Sequence, residues 1–178
     1  MVAPPESSRI RWRRVIGSTI GALAVLGLLS PPAYAHFLSN DSVDGNEIRY
    51  EDYTQWNDAL GHAISAWEGL TGGVSIAPDA WNTNADLEVR DYTNTSDGRC
   101  GYWQPRTGAD LLALNGRYFN PYSTSDRRAC MTHEWGHAHR LAHSYTDQVM
   151  DACPSSWCNS PAPTTPQSHD HSDYYYLW

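Results

Sequence analysis

Hydrophobic residues recur at three- and four-residue spacing along residues 53–70, which predicts an amphipathic helix. Short apolar or alternating segments bounded by turn-forming residues predict strands elsewhere. These strands are expected at residues 46–50, 74–78, 85–92, 101–105 and 109–115. Pro105 has no amide proton for a sheet hydrogen bond, so the strand at 101–105 is predicted to lie at an edge of the sheet. The helix is expected to turn five apolar residues toward the core: Trp56, Leu60, Ala63, Ile64 and Trp67.

Two further helices are predicted toward the C-terminus. Ser125 and Asp126 can cap the start of a helix that continues through Trp135. Residues 168–178 begin with capping side chains and end with apolar ones, which is typical of a helix packed back on its domain. The segment 155–167 between them is rich in Ser, Pro and Thr and is predicted to be a loop.

Length and composition limit the class of protein. The chain has 178 residues, enough for one ordinary domain, and its 40% hydrophobic and 12% aromatic residues can form a packed core. The formal net charge is −8, and all 12 basic residues are arginine. Since no cluster of positive charge offers a surface for a polyanion, a nucleic-acid partner is not expected.

Residues 1–35 have the pattern of an export signal. Four arginines precede an apolar run at residues 15–29, and small residues follow at Ala33 and Ala35. The run is shorter than the roughly 20 apolar residues that a membrane-spanning helix needs, so a membrane anchor is not expected. Cleavage after Ala35 leaves residues 36–178 as a secreted, extracellular domain.

The four cysteines all follow the predicted cleavage site, where an oxidising environment favours two disulfides. Three pairings are possible. A short bend containing Pro154 separates Cys153 from Cys158, which favours a bond between these two and, by default, a bond between Cys100 and Cys130. A four-cysteine zinc site is the alternative, although the sequence has no Cys-x-x-Cys pair to support it.

A His-Glu-x-x-His sequence at residues 133–137 carries the strongest chemical signal. On a helix, His133 and His137 lie about 40° apart around the axis and one turn apart along it. Both imidazoles can therefore bind one zinc ion. Glu134 lies beside them on the same helix, where its carboxylate can take a proton from a metal-bound water.

A third histidine, His143, follows His133 by ten residues. In a continuing helix it would lie about 15 Å further along the axis, too far to reach the same metal. The chain must bend before His143 if this residue is to complete the site. Three nitrogen ligands with one open position form the donor set of a catalytic zinc site.

These residues, with Ser144 after the third histidine and the segment 148–151 further on, resemble the metzincin metallopeptidases. The His143-Ser144 pair is most similar to the matrixin branch, and the size and closing helix are similar to the secreted bacterial snapalysin-like enzymes. The resemblance implies that Glu134 is the general base and acid and that Met150 forms a hydrophobic floor beneath the metal. It also implies one catalytic zinc ion, with His133, His137 and His143 as its ligands.

The fold expected from the element order and the resemblance is α+β and metzincin-like. It contains a twisted, mixed and mostly parallel sheet, an active-site helix, a second long helix and a C-terminal helix. An irregular lower part would follow the third histidine, and a peptide substrate would lie between the two parts.

Arg140 departs from the family pattern, which has glycine at this position. Glycine allows a positive φ there, and another residue in that conformation carries strain of about 1–3 kcal/mol. His143 is therefore the least secure of the three ligands. Asp147 and Asp151 are the nearest substitutes.

Three other histidines receive ordinary structural interpretations. His139 lies about 240° around the helix from His133 and is expected at the surface. His169 and His171 are expected to be surface residues at the start of the last helix, although such residues can bind adventitious metal.

The predicted function is a secreted, monomeric zinc endopeptidase that acts on protein or peptide substrates. Residues 101–105 would accept the substrate as an added strand. The alternatives are a secreted binding module with aromatic stacking platforms and an inactive, zinc-stabilised relative. Structural calcium is left open by the sequence.

Overall fold

The computed structural model describes residues 36–152 and 161–178. The predicted export signal, residues 1–35, lies outside the described residues. The predicted Cys153–Cys158 bond also lies outside them. The described residues all belong to one compact unit.

A five-stranded sheet forms the centre of the fold, with the strand order β2-β1-β3-β5-β4. The first four strands in this order run parallel to one another, and β4 runs antiparallel to β5. The sheet is therefore mixed and mostly parallel, as predicted, and the strand before Pro105 lies at its edge. The bounds of the strands are β1 Glu47–Tyr53, β2 Ser75–Pro78, β3 Leu87–Tyr92, β4 Gly101–Gln104 and β5 Asp110–Asn115.

The described residues contain three helices near the predicted positions and one short helix that was not predicted. Their bounds are α1 Asn57–Glu68, α2 Gly116–Phe119, α3 Thr124–Ala138 and α4 Ser168–Leu177. The unpredicted helix, α2, is a single turn, too short for a periodic pattern. Within the described part of the chain, no helix combines the length and the apolar character needed to cross a bilayer.

The start of α3 differs from the prediction. The predicted caps were Ser125 and Asp126, but the N-cap is Ser123. The Ser123 hydroxyl accepts a hydrogen bond from the Asp126 amide at 3.1 Å. Asp126 instead occupies the third helical position, where its carboxylate accepts a hydrogen bond from the Ser123 hydroxyl. Ser123 and Asp126 thus bond to each other at the start of the helix. Ser123 is the N-cap because its backbone is extended, whereas that of Thr124 is helical.

Helices α1 and α3 pack together through buried aromatic residues. Trp67 of α1 is buried, and its indole N–H donates a hydrogen bond to the Thr132 carbonyl of α3 at 2.9 Å. Trp135 of α3 is fully buried and meets Tyr50 of β1 edge to face. Helix α3 therefore packs against both α1 and the sheet.

A disulfide joins Cys100 and Cys130. Cys100 directly precedes β4, and Cys130 lies in the middle of α3. The bond thus ties the edge strand to the helix that carries the His-Glu-x-x-His sequence. The pairing is the one favoured by the sequence.

Tyr174 holds α4 against the segment that joins α1 to β2. Its ring is fully buried, and its hydroxyl accepts a hydrogen bond from the Val74 amide at 2.7 Å. Gly73 leaves the necessary space, because a Cβ at this position would overlap the tyrosine hydroxyl.

Replacing Tyr174 by Phe is expected to lower the free energy of unfolding by about 1–3 kcal/mol, because the buried Val74 amide would lose its acceptor. Urea unfolding followed by circular dichroism measures this loss. Tyr176→Phe is the matched control, since Tyr176 lies on the same helix with 77% of its surface exposed. Equal losses in the two variants would contradict the assigned role of the Tyr174 hydroxyl.

Candidate active site

The three predicted zinc ligands come together in the structure. His133 and His137 lie one turn apart on α3, and His143 follows the end of this helix. Ligand atoms of the three side chains all lie within 4.8 Å of one another. His133 is buried, His137 is partly buried and His143 is exposed, so the cluster opens to solvent at its third member.

Arg140 makes the bend that brings His143 back to the helix. Its φ is 74°, the left-handed conformation that was expected at this position. The helix closes with two backbone hydrogen bonds: the Arg140 amide donates to His137 O and the Leu141 amide to Gly136 O. The arginine side chain then donates from Nε to Leu38 O at 3.2 Å. His143 therefore joins the cluster itself, and neither Asp147 nor Asp151 is needed in its place.

Arg140→Val is expected to be less stable than Arg140→Gly by about 1–3 kcal/mol, because a β-branched residue at positive φ is strongly strained whereas glycine is not. Both variants lose the bond to Leu38, so their difference isolates the backbone conformation. Thermal unfolding of the two proteins gives the comparison. Equal stability would mean that residue 140 is not held at positive φ.

The hydrogen bonds of His133 and His137 leave one ring nitrogen of each available for a metal. Nδ1 of His133 lies 2.8 Å from Val149 O, and Nδ1 of His137 lies 2.7 Å from Leu141 O. Since a carbonyl oxygen can only accept, both Nδ1 atoms carry the proton and both Nε2 atoms are unprotonated. Such a carbonyl partner commonly orients a metal-bound histidine.

The charge state of these side chains also suits a metal. Burial lowers the pKa of His133 well below its ordinary value, and the neighbouring His137 lowers it further. Burial likewise lowers the pKa of His137 to about 4. Both rings are therefore neutral near pH 7, which is the form that binds zinc. The donor set fits one zinc ion.

Met150 lies beneath α3, where its sulfur approaches the helix backbone at Gly136. A Cβ at Gly136 would overlap the Met150 sulfur, so the glycine allows this close approach. Residues 148–151 form a turn, here called the Met150 turn, in which the Asp151 amide donates to Gln148 O. The turn is tied in place on both sides: the Ser144 amide donates to Met150 O at 2.8 Å, and Val149 O accepts a hydrogen bond from His133. This packing holds Met150 against α3 at Gly136.

Asp170, which the sequence analysis did not single out, holds this turn from α4. Its carboxylate accepts hydrogen bonds from the amides of Val149 at 2.8 Å and Met150 at 3.3 Å, and also from Gln167 at 2.8 Å. The Gln167 bond belongs to a capping box at the start of α4. The sequence signal was an acidic residue at the third position of that helix, which predicts capping but not the contact with the turn.

Glu134 is a buried carboxyl group between α3 and the edge strand. Its pKa is raised to about 8 by burial, while Arg99 and a hydrogen bond from the Trp103 backbone act in the opposite direction. Its Oε2 atom is buried without a hydrogen-bond partner. A bound cation nearby would favour the ionised form. A buried carboxyl group with an unpaired oxygen, on the helix that carries His133 and His137, has the features of a proton-transfer residue.

Gly101 of β4 leaves the space that Glu134 fills. A Cβ at Gly101 would lie 2.9 Å from Ala113 O and 3.0 Å from Glu134 Cγ, both too close for normal contact. The sequence pattern predicted this glycine in the edge strand but indicated no contact with Glu134. The link depends on the strand order, which brings β4 beside α3.

Gly101→Ala is expected to displace Glu134 and to lower peptide hydrolysis by about 10–100-fold, since a misplacement near 1 Å costs a catalytic group about 10²-fold. Zinc content should stay at the wild-type value because no ligand changes. Steady-state kinetics and metal analysis measure the two quantities. The control is Gly61→Ala on α1, where an added Cβ meets nothing within 4 Å. Full activity of Gly101→Ala would contradict the proposed placement of Glu134.

The expectation for His139 was wrong. Its side chain has 0% exposure, stacks on Trp67 and packs against Tyr174, and its pKa is lowered to about 4 by burial. His139 lies on the opposite side of α3 from His133, and this side is covered by α1 and α4. Its angle around the helix therefore did not predict whether it is exposed. His169 is also largely buried, whereas His171 is partly exposed.

Within residues 36–152 and 161–178, the tryptophans do not form an exposed stacking surface. Of the six tryptophans in the described residues, only Trp81 is exposed, at 98%. The other five are buried or partly buried, and several belong to the core around α1 and α3. This distribution assigns these aromatic residues to packing and does not favour the binding-module alternative.

No protein family model matches the sequence, and no curated protein matches it. One similar solved structure is the GM1-bound form of the ECX AB5 holotoxin, with a TM-score of 0.47 and 14% identity over 72% of this chain and 78% of that chain. Another is archaemetzincin (AmzA) from Archaeoglobus fulgidus in complex with malonate. Its TM-score is 0.44 at 14% identity, over 71% of this chain and 99% of that chain. At these values neither structure assigns this chain to a family.

Proposed function

We propose that the protein is a zinc-dependent endopeptidase of metzincin type, similar to the matrixin and snapalysin-like enzymes. The observation that carries this proposal is the convergence of His133, His137 and His143 beside the buried carboxyl group of Glu134. The sequence spacing predicted these residues, and their hydrogen bonds leave metal-binding nitrogens on the two helical histidines.

His133, His137 and His143 would hold the zinc ion. When bound, zinc polarises the scissile carbonyl and lowers the pKa of water at the site. The carbonyls of Val149 and Leu141 keep the first two imidazoles in the correct tautomer. Met150 supports the cluster from below, and Asp170 holds the turn that contains Met150.

Glu134 would transfer the protons of the reaction. Its ionised carboxylate accepts a proton from the attacking water and then delivers that proton to the amine of the departing peptide. Its unpartnered Oε2 atom is available for this exchange. Because it is not a metal ligand, its replacement should leave the metal in place.

The peptide substrate would bind along β4 as an additional strand. In the described residues, β4 pairs with β5 on one side and has no strand on the other. Free backbone groups at such an edge can bind an extended peptide. Glu134 contacts this strand near Gly101, so a peptide on β4 would pass the proton-transfer group.

We also propose that the enzyme is exported, that residues 1–35 are removed, and that residues 36–178 act as a secreted monomer. The apolar run and the small residues before His36 support cleavage. The Cys100–Cys130 disulfide supports an oxidising environment.

Digestion of a denatured protein substrate tests the reaction class. Fragments are identified by mass spectrometry after incubation in H₂¹⁸O. Internal cleavage, with heavy oxygen from the solvent in each new carboxyl group, is the expected result. Release of single residues from the chain ends, or intact substrate with zinc-loaded enzyme, would overturn the proposed endopeptidase.

A further inference from the structure

A second group of side chains that could hold a metal ion shares no residue with the three-histidine cluster. It consists of His36 at the start of the described chain, together with His169 and Asp173 on α4. The two α4 residues are one helical turn apart and face the same direction. The exposed fractions of the three side chains are 30% for His36, 12% for His169 and 4% for Asp173.

The distances within this cluster match those between ligands of one metal ion. His36 Nδ1 lies 3.3 Å from His169 Nε2 and 3.7 Å from Asp173 Oδ2. His169 Nε2 lies 3.3 Å from the same carboxylate oxygen. Ligands about 2.0–2.1 Å from a tetrahedral zinc ion are about 3.3–3.4 Å apart. All three atoms are therefore placed to share one ion.

The backbone nitrogen of His36 is a fourth group at the same place, 3.2 Å from Asp173 Oδ2. In a longer chain this nitrogen is an amide, which is a poor metal donor. If the chain begins at His36, as the proposed cleavage implies, it is an amine. An amine and Nδ1 of the same terminal histidine can chelate one metal ion.

We propose that His36, His169 and Asp173 form a second site for a divalent transition metal such as Zn²⁺, and that the amino group released by cleavage before His36 completes it. Two imidazoles with a carboxylate form a donor set suited to Zn²⁺ or Cu²⁺. The side-chain site is independent of the proposed peptidase activity. The role of the amine rests on the proposed cleavage.

The site links the chain start to the catalytic region. The Ala142 amide donates to His36 O at 2.8 Å, and Ala142 directly precedes the third zinc ligand. On the other side, the His169 amide donates to the side chain of Gln148 at 2.9 Å, close to the Met150 turn. A metal here would hold the chain start, α4 and the segment around His143 together.

Metal content is the test of the side-chain site. Protein beginning at His36 is freed of metal with a chelator, reloaded with Zn²⁺ alone and desalted. Its zinc content is then measured by inductively coupled plasma mass spectrometry. Two ions per chain are expected in the wild type. One is expected in His36→Ala and one in His169→Ala, while His171→Ala, on the same helix outside the cluster, should keep two.

One zinc ion in the wild type, or two in His169→Ala, would overturn the second site and leave a hydrogen-bonded cluster without a metal. His36→Ala provides the same test if His169→Ala does not fold, because the His36 side chain is partly exposed at the chain start. His137→Ala separates the two proposals: it should lose the first ion and keep the second. Unchanged zinc in His137→Ala would instead count against the three-histidine site.

The role of the amine is tested with a protein that begins one residue earlier, at Ala35. Its zinc affinity at the second site is expected to fall at least 10-fold, because the nitrogen of His36 becomes an amide. Competition with a zinc-binding dye measures the affinity. Equal affinity in the two proteins would remove the amine from the proposed donor set.

Discussion

Glu134→Gln is expected to lower the turnover number for peptide hydrolysis by about 10²–10⁴-fold, the contribution of a positioned proton-transfer group. Glutamine has nearly the same shape and can still occupy the space beside Gly101. Its amide cannot take a proton from water. Since no metal ligand changes, zinc content and thermal stability should remain close to wild type.

Glu88→Gln is the matched control for this experiment. Glu88 lies on β3 and pairs with Arg90 at 2.7 Å near the protein surface. Its replacement should leave turnover unchanged. If Glu134→Gln retained wild-type turnover with a full zinc complement, the assignment of Glu134 as base and acid would be wrong.

His143→Ala is expected to weaken zinc binding by more than about 100-fold and to reduce hydrolysis to background. Loss of a partner that only orients a ligand costs about 10–100-fold in metal affinity, and removal of a ligand costs more. This experiment tests the ligand that the sequence left least secure. Zinc affinity is measured by competition with a chelating dye.

His171→Ala serves as the control, because this histidine is partly exposed on α4 and belongs to neither metal cluster. It should bind zinc at the three-histidine cluster as the wild type does. Unchanged zinc affinity in His143→Ala would remove His143 from the ligand set. Burial lowers the pKa of His143, and the nearby charge of Asp151 opposes this effect, so Asp151 would then be examined as a ligand.

The element order and the metal cluster were predictable because they follow from local patterns. The strands and long helices follow from hydrophobic periodicity. The position of His133 and His137 follows from the pitch of a helix. The positive φ of Arg140 was indicated by the resemblance, since the metzincin pattern has glycine at this position.

Contacts between distant segments could not be predicted in this way. Asp170 reaches the Met150 turn, and Gly101 meets Glu134, only because α4 and β4 pack beside elements far away in the sequence. His139 is buried for the same reason. The cluster of His36, His169 and Asp173 joins the two ends of the domain, so no short motif marks it.

Removal and restoration of zinc is the most direct test of the proposed activity. Protein comprising residues 36–178 is assayed on a denatured protein substrate before chelation, after chelation, and after Zn²⁺ is returned. Hydrolysis should disappear with the metal and return with one zinc ion at the three-histidine cluster. Hydrolysis that continues in the fully stripped protein, or its absence from folded protein with zinc at this cluster, would contradict a zinc peptidase.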